Sequence, residues 1–544
     1  MRLLRPISSR HPLVFRVCLV SLGLLAACGG GGGIPDPVEV LPSKRVVYQK
    51  FSGAGGTQLD LYSVREDGTG EVALAVSQDD EELAMDVSSG APVPAILGDR
   101  IIYRRRVSGT QDDIYSVRSD GTGTVALAAT VYDERLLCVL GDRLVISKVG
   151  NGFQSIKADG TGLVTFPADA EYIGSVFGRI FFNSALAAGT TRFYSALPDG
   201  TAQAQLLTVR GQLVQQSTQS GERLPLTSGF QVFYFEDAST TALFASHVDG
   251  TSKALLASNP AYLNSGISSQ FSVGAFGWPV ADRFVYQTVT AGQSTVFSVK
   301  LDGTSPVNMG TQPGSVFFSG AIGTRAIFSL VNAASLFGAD ITSSLPTTLA
   351  TGGSSGMTSG NRVIVIRNYS SPTFDFSSIN PDGTAPVSLA TAAYEWFSTS
   401  GDPTVSGRAL VFAGNRILCR KQLVSPGTTL TPDIFSVNND GTGLIALALG
   451  GEKDAEHLGS DRLYFRRVVG LQSDLYSILL DGTGLVTLAN GATDERFGLL
   501  SGTKVVFTRQ AADGHRNLYI VNGDGTSEKL LSNSAQDKIP VAAL

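Results

Sequence analysis

A chain of 544 residues is too long for one small core, so it holds either several domains or one long repeat array. With 62 glycines, 22 prolines and only 16% charged residues, the composition favours a turn-rich all-β protein over a helical bundle. Acidic side chains outnumber basic ones by 47 to 41, a balance that argues against nucleic acid as a partner.

The first 28 residues differ from the rest. Arg2, Arg5, Arg10 and Arg16 precede an apolar run over residues 17–25, which ends in Leu25-Ala26-Ala27-Cys28. The run is shorter than the roughly 20 residues a membrane span needs, so it reads as a secretory signal. The ending resembles the lipobox of bacterial lipoproteins, and that resemblance implies a lipid on Cys28, which becomes the new amino terminus. With no acidic residue directly after Cys28, the resemblance also implies sorting to the outer membrane, facing the periplasm or the surface. Losing the segment would remove four arginines and no acid, taking the net charge from −6 to about −10. Residues 29–42, five glycines and then a proline-rich stretch, read as a flexible tether.

From there to the carboxyl end the chain repeats one unit. Its clearest copy is Asp113-Ile-Tyr-Ser-Val-Arg-Ser-Asp120-Gly121-Thr122, followed by Gly123-Thr-Val-Ala-Leu127. This predicts a strand, a tight turn and a second strand, because Asp-Gly between apolar-alternating runs supplies the positive φ that a hairpin needs. The turn recurs as Asp67-Gly68, Asp120-Gly121, Asp159-Gly160, Asp199-Gly200 and Asp249-Gly250, then as Asp302-Gly303, Asp382-Gly383, Asp440-Gly441, Asp481-Gly482 and Asp524-Gly525. The double gap between Asp302 and Asp382 holds one more copy, with Thr342 where the Asp should stand, making eleven. Five residues before the turn there is an aromatic in nine copies, usually followed by Ser.

Upstream of each such strand lies another, opened by a turn and a basic residue, as in Gly98-Asp99-Arg100, Gly141-Asp142-Arg143 and Ser460-Asp461-Arg462. A short apolar run such as 94–97 comes before it. Four antiparallel strands per unit of about 40 residues is the arithmetic of a β-propeller blade. The pattern resembles the propeller repeats of the TolB family. It departs from them by leaving no room for that family's amino-terminal α/β domain and by having eleven repeats rather than six, so the family's partners are not carried over.

Repeats one to three and nine to ten share a Gly after the Thr (Gly70, Gly123, Gly162, Gly443, Gly484), and an acidic signature follows them, as in Asp80-Glu81, Asp133-Glu134, Asp169-Ala-Glu171, Asp454-Ala-Glu456 and Asp494-Glu495. Repeats four to eight lack the Gly, and most lack the acids. The two ends of the chain thus resemble each other, which predicts two rings: repeats one to three (43–169) with nine to eleven (392–544) as a six-bladed ring, and repeats four to eight (170–391) inserted as a five-bladed one. The tail Ile539-Pro-Val-Ala-Ala-Leu544 looks like a first strand and is expected to complete blade one.

Few residues suggest chemistry. Gly352-Gly-Ser354-Ser-Gly356 matches a nucleophile elbow, but its Ser, Thr and Gly surroundings read as a loop between blades. His247, His457 and His515 have no metal-ligand spacing, and Cys138 and Cys419 read as buried thiols rather than a disulfide. The turn Asp residues lack the alternating oxygens of a calcium loop. Arg104-Arg-Arg106 and Arg466-Arg467 should pair across a hairpin with Asp113 and Asp474, leaving a basic rim as a secondary reading. No catalytic, cofactor or metal residue is assigned. The expected function is a non-catalytic, lipid-anchored envelope scaffold, bound to a membrane through Cys28 and to an unidentified envelope protein or polymer. A channel hydrolase or lyase, or a sugar-binding protein, is the alternative.

Overall fold

The computed structural model describes residues 44–543 apart from 53–57, 87–92, 109–110, 186–190, 218–222, 226, 229, 237–241, 259–276, 315, 331–334, 344, 352–354, 368–372, 395–410, 414, 422–432, 449–451, 460, 470–471 and 534–535. Cys28, the tether, Ser354 and Leu544 lie outside the described residues. Every regular element among the described residues is a strand, and these form eleven antiparallel blades.

Blade three shows the plan: Glu134–Leu140, Arg143–Lys148, Phe153–Lys157 and Val164–Thr165, each strand paired with the next. Strand alternation sends neighbouring side chains to opposite faces, so a second strand apolar at every position feeds two cores at once. Val145 packs toward blade four while Leu144 and Ile146 pack toward blade two. The same holds at every seam. Apolar clusters join blades one and two, two and three, and so on to ten and eleven, and a last cluster sets Val46 and Tyr48 against Val506 and Leu518, joining eleven to one.

The fold is therefore a β-propeller of eleven blades in a ring, and the expected six-plus-five division is not reproduced. Blade three packs on two and four, with blade four filling the seam where blade nine was expected. Residues 44–544 form one compact unit. The physical reason is that both classes of repeat present the same two apolar faces, so likeness between copies does not dictate which copies touch. The tail does close the ring: Lys538–Ala543 pairs antiparallel with Arg45–Ser52, Val46 opposite Ala543, and supplies the first strand of blade one.

Each Asp-Gly-Thr forms the turn between third and fourth strands. In blade two the Asp120 carboxylate accepts the Thr122 N–H at 2.9 Å and the Thr122 hydroxyl at 2.7 Å, and these donors hold its carboxyl below the ordinary carboxylate range. Gly121 has φ +83°, and the ten turn glycines all lie between +78° and +87°. Close approach adds a second demand for glycine. A Cβ on Gly121 would meet the Val72 side chain and stand 2.9 Å from the Ala73 carbonyl, both in the fourth strand of blade one. In blade seven Asp340, two residues ahead of Thr342, takes over the capping bonds to the Thr342 N–H and hydroxyl.

Gly121→Val is expected to destabilise by about 1 kcal/mol or more, from positive φ and a clash with blade one together; urea denaturation reads the loss. The closing strand gives a second expectation. Lys538 is 1% exposed, and burial followed by the charge of Lys50 pushes its ammonium down to about 8. A folded-state pKa below the unfolded value means that unfolding takes up a proton, so this group makes the fold more stable as pH rises from about 8 to 10.5. In Lys538→Met that increment should vanish, seen as a smaller rise in melting temperature between pH 7 and pH 9.5 than in the parent.

Candidate functional site

One hydrogen-bonded relay runs from blade to blade. The arginine opening the second strand reaches the serine of the third strand and a carbonyl just past the turn. Arg45 donates from Nε to Ser63 Oγ at 2.9 Å and from Nη2 to the Gly70 carbonyl at 2.6 Å. Arg143, Arg179, Arg283 and Arg362 repeat this in blades three, four, six and eight. The serine then donates onward to the carbonyl just before the next blade's turn: Ser63 to Ser119 at 2.7 Å, Ser195 to Val248 at 2.7 Å, Ser436 to Leu480 at 2.6 Å. Arg45, Arg143 and Arg283 are buried, and charge-assisted bonds to carbonyls offset their desolvation. The basic residue before each second strand and the Ser after each aromatic were both visible in the sequence; what joins them was not.

The acidic signatures straddle the start of the first strand: Asp133, Asp169 and Asp494 precede it and Glu134, Glu171 and Glu495 open it, while Asp80-Glu81 and Asp454-Ala-Glu456 lie within it. Asp80, Glu81 and Glu82 pair in register with Arg106, Arg105 and Arg104, and the strand resumes at Ile96–Leu97 after an excursion containing the pair Met85–Asp86 and Val93–Pro94. The Asp86 carboxylate accepts the Val139 N–H of blade three at 3.1 Å, tying the excursion to its neighbour.

Between these two blades lies a cleft of about 550 Å³, lined by Glu82, Leu83, Ala84, Met85, Arg104, Arg106, Asp112, Ile114, Asp133, Glu134, Arg135 and Leu136. Its lining comes from the end of the second strand and the start of the third strand of blade two and from the starts of the first strands of both blades, away from the Asp-Gly-Thr turns. Arg104 binds Glu82 and, at 3.2 Å, Asp112; Arg106 binds Asp112 at 3.3 Å; Arg135 binds Asp133 at 2.8 Å. Across their hairpins Asp113 stands opposite Arg105 and Asp474 opposite Arg467, as expected. The Asp113 side chain, however, accepts from Gln111 Nε2 at 3.2 Å, while the arginines of blade two bind carboxylates of the first strand and Asp112.

Three seams carry the same buried glutamate. Glu81, Glu134 and Glu495 are each fully buried, each with an Oε2 that has no hydrogen-bond partner. Burial raises all three carboxyls above their ordinary range, and Asp60, Asp113 and Asp474 of the preceding blades add to the rise. Glu81 receives Arg105 at 3.0 Å and Glu495 receives Arg509 at 2.8 Å. Glu134 accepts from the Thr130 hydroxyl.

The other sequence candidates are dispersed. His247, His457 and His515 lie in blades five, ten and eleven; His457 stacks on Phe497 at 5.2 Å, and burial lowers its pKa. Cys138 is a free thiol that burial pushes up to about 11, and Cys419 sits in the second strand of blade nine. Among the described residues no group of three His, Cys, Asp or Glu is placed to hold a metal ion.

No family model matches the chain, and none of the curated proteins does. Solved structures similar to it include the β-propeller domain of the Trilobed protease from Pyrococcus furiosus (13% identity, 59% of this chain and 99% of that one, TM-score 0.28), TolB from Acinetobacter baumannii (13%, 59% and 81%, 0.24) and dipeptidyl peptidase 4 of Porphyromonas gingivalis (13%, 73% and 58%, 0.37).

Removing Arg105 leaves Glu81 buried without a counter-charge. Arg105→Ala should cost about 2 kcal/mol, below the 3–5 kcal/mol of a fully buried pair because Arg105 is partly exposed. Since the folded carboxyl is raised, its contribution is most favourable at acid pH and is lost as pH climbs through the raised value. Urea melts should therefore show a wider gap from the parent at pH 7.5 than at pH 5.

Proposed function

We propose that this chain is a lipid-anchored propeller of a bacterial cell envelope that recognises an envelope protein or polymer and performs no catalysis. Cys28 carries the lipid, residues 29–42 hold the ring away from the bilayer, and the outer membrane is the expected location. The anchor is supported by the basic region, the apolar run and Leu25-Ala26-Ala27-Cys28. The observation that carries the recognition role is the state of the cleft's side chains. Its three arginines are each engaged by a carboxylate, and the remaining lining is acidic or apolar, without hydroxyl, thiol or imidazole. Paired charges over an apolar floor suit complementary docking, where they set partner choice and orientation.

Replacing Cys28 with Ser, labelling cells with a fatty acid and fractionating membranes tests the anchor. Labelling should disappear and the chain should leave the membrane fraction; unchanged labelling sinks the assignment. Recognition is tested by cross-linked capture from envelope extract, where Arg106→Glu should lose a partner that the parent retains.

A further inference from the structure

The three buried glutamates form an internal comparison. In blade two Glu81 stands opposite Arg105, whose guanidinium lies 4.7 Å from the Tyr115 ring centre. In blade eleven Glu495 stands opposite Arg509, 4.7 Å from the Tyr519 ring centre. In both, a buried carboxylate, an arginine and an aromatic shelf form one unit on the face toward the preceding blade. Blade three keeps the carboxylate and changes the other two. Lys148 stands opposite Glu134, and Gln154 occupies the aromatic position, with its Nε2 bonded to the Leu127 carbonyl of blade two at 3.1 Å.

Lys148 forms no ion pair with Glu134, and among the described residues no other cation does. Glu134 is fully buried, lines the cleft and has a carboxylate oxygen without a partner. Glu81 and Glu495 also have such an oxygen, so what sets Glu134 apart is the guanidinium missing from Oε1. The cleft opens at this seam, on the side where the other two blades place their arginine. Its own arginines are bound to Glu82, Asp112 and Asp133, leaving Glu134 without a cation and with Asp113 beside it as a second carboxyl group that raises it further.

We propose that the cleft between blades two and three binds a guanidinium group from outside the chain, taken up against Glu134 where blades two and eleven supply an arginine of their own. The shared chemistry is a planar cation able to donate two parallel hydrogen bonds to a carboxylate. Its source is either an arginine side chain of a peptide or a free small guanidine. The proposal rests on reading the cleft as the recognition surface, and it names what that surface recognises.

The test is calorimetric titration of the detergent-solubilised full chain with agmatine, with acetyl-Gly-Arg-Gly-amide and with the same peptide carrying citrulline. Saturable binding of one or both guanidinium probes, at least about tenfold tighter than the citrulline peptide, is expected. Binding of agmatine alone identifies a small-molecule site; preference for the arginine peptide identifies a peptide site. Glu134→Gln should weaken binding about tenfold or more. Lys148→Arg restores the arrangement of blades two and eleven, so it should occupy the site from within, abolish binding and raise the melting temperature; it decides the matter if Glu134→Gln folds poorly. Absence of saturable guanidinium binding, equal affinity for citrulline, or unchanged affinity in Lys148→Arg would overturn the proposal. Fatty-acid labelling and Arg106-dependent envelope capture are read without a guanidinium probe, so failure here with both of those positive overturns the guanidinium ligand and leaves the anchored-scaffold reading standing.

Discussion

A four-stranded sheet whose central strands are apolar on both faces cannot stand alone in water. Each blade exposes two such faces, and each face is covered by the next copy; Val505 and Val506, adjacent in sequence, belong to the cores on opposite sides of blade eleven. Covering one face leaves another bare until the last blade meets the first. Closure is thus a requirement of the repeat itself. The chain meets it by giving blade one its first strand from the carboxyl end, so backbone pairing as well as packing holds the join.

That constraint explains which expectations transferred from sequence to structure. The period, the Asp-Gly turn and the closing tail are local or nearly local signals, and each has one physical solution. Gly121 needs positive φ whatever surrounds it, and the tail carries the alternation of a first strand. Ring number is a different kind of quantity. It depends on the small rotation between neighbouring blades, summed eleven times, and no single residue encodes it. The likeness of repeats one to three with nine and ten was legible, but it does not dictate which copies touch, since both classes of repeat present the same two apolar faces.

The polar side chains divide along a similar line. Arg143 and Ser155 were each visible as recurring residue types, yet their meaning lies in a bond between strands 12 residues apart and, for the equivalent Ser116, in a second bond to the following blade. The acidic signatures were legible as a class. Their burial was not, because Glu81, Glu134 and Glu495 are withdrawn from water only where the preceding blade packs against the start of the first strand.

In a protein made of eleven versions of one unit, the unit explains the scaffold, and the departures from it are where something else has to be explained. A surface glutamate without an arginine would need no comment, since exposed pairs contribute little. Glu134 is not on the surface. Its carboxylate is withdrawn from water at a position where two sister blades provide a cation and an aromatic shelf, and its blade provides Lys148 and Gln154 in their place. Two changes in the same small unit, both on the face where the cleft lies, take the internal cation away from a buried carboxylate. Desolvating a carboxylate is costly enough that the other seams compensate it from within, so the same cost at this seam favours a cation arriving from outside.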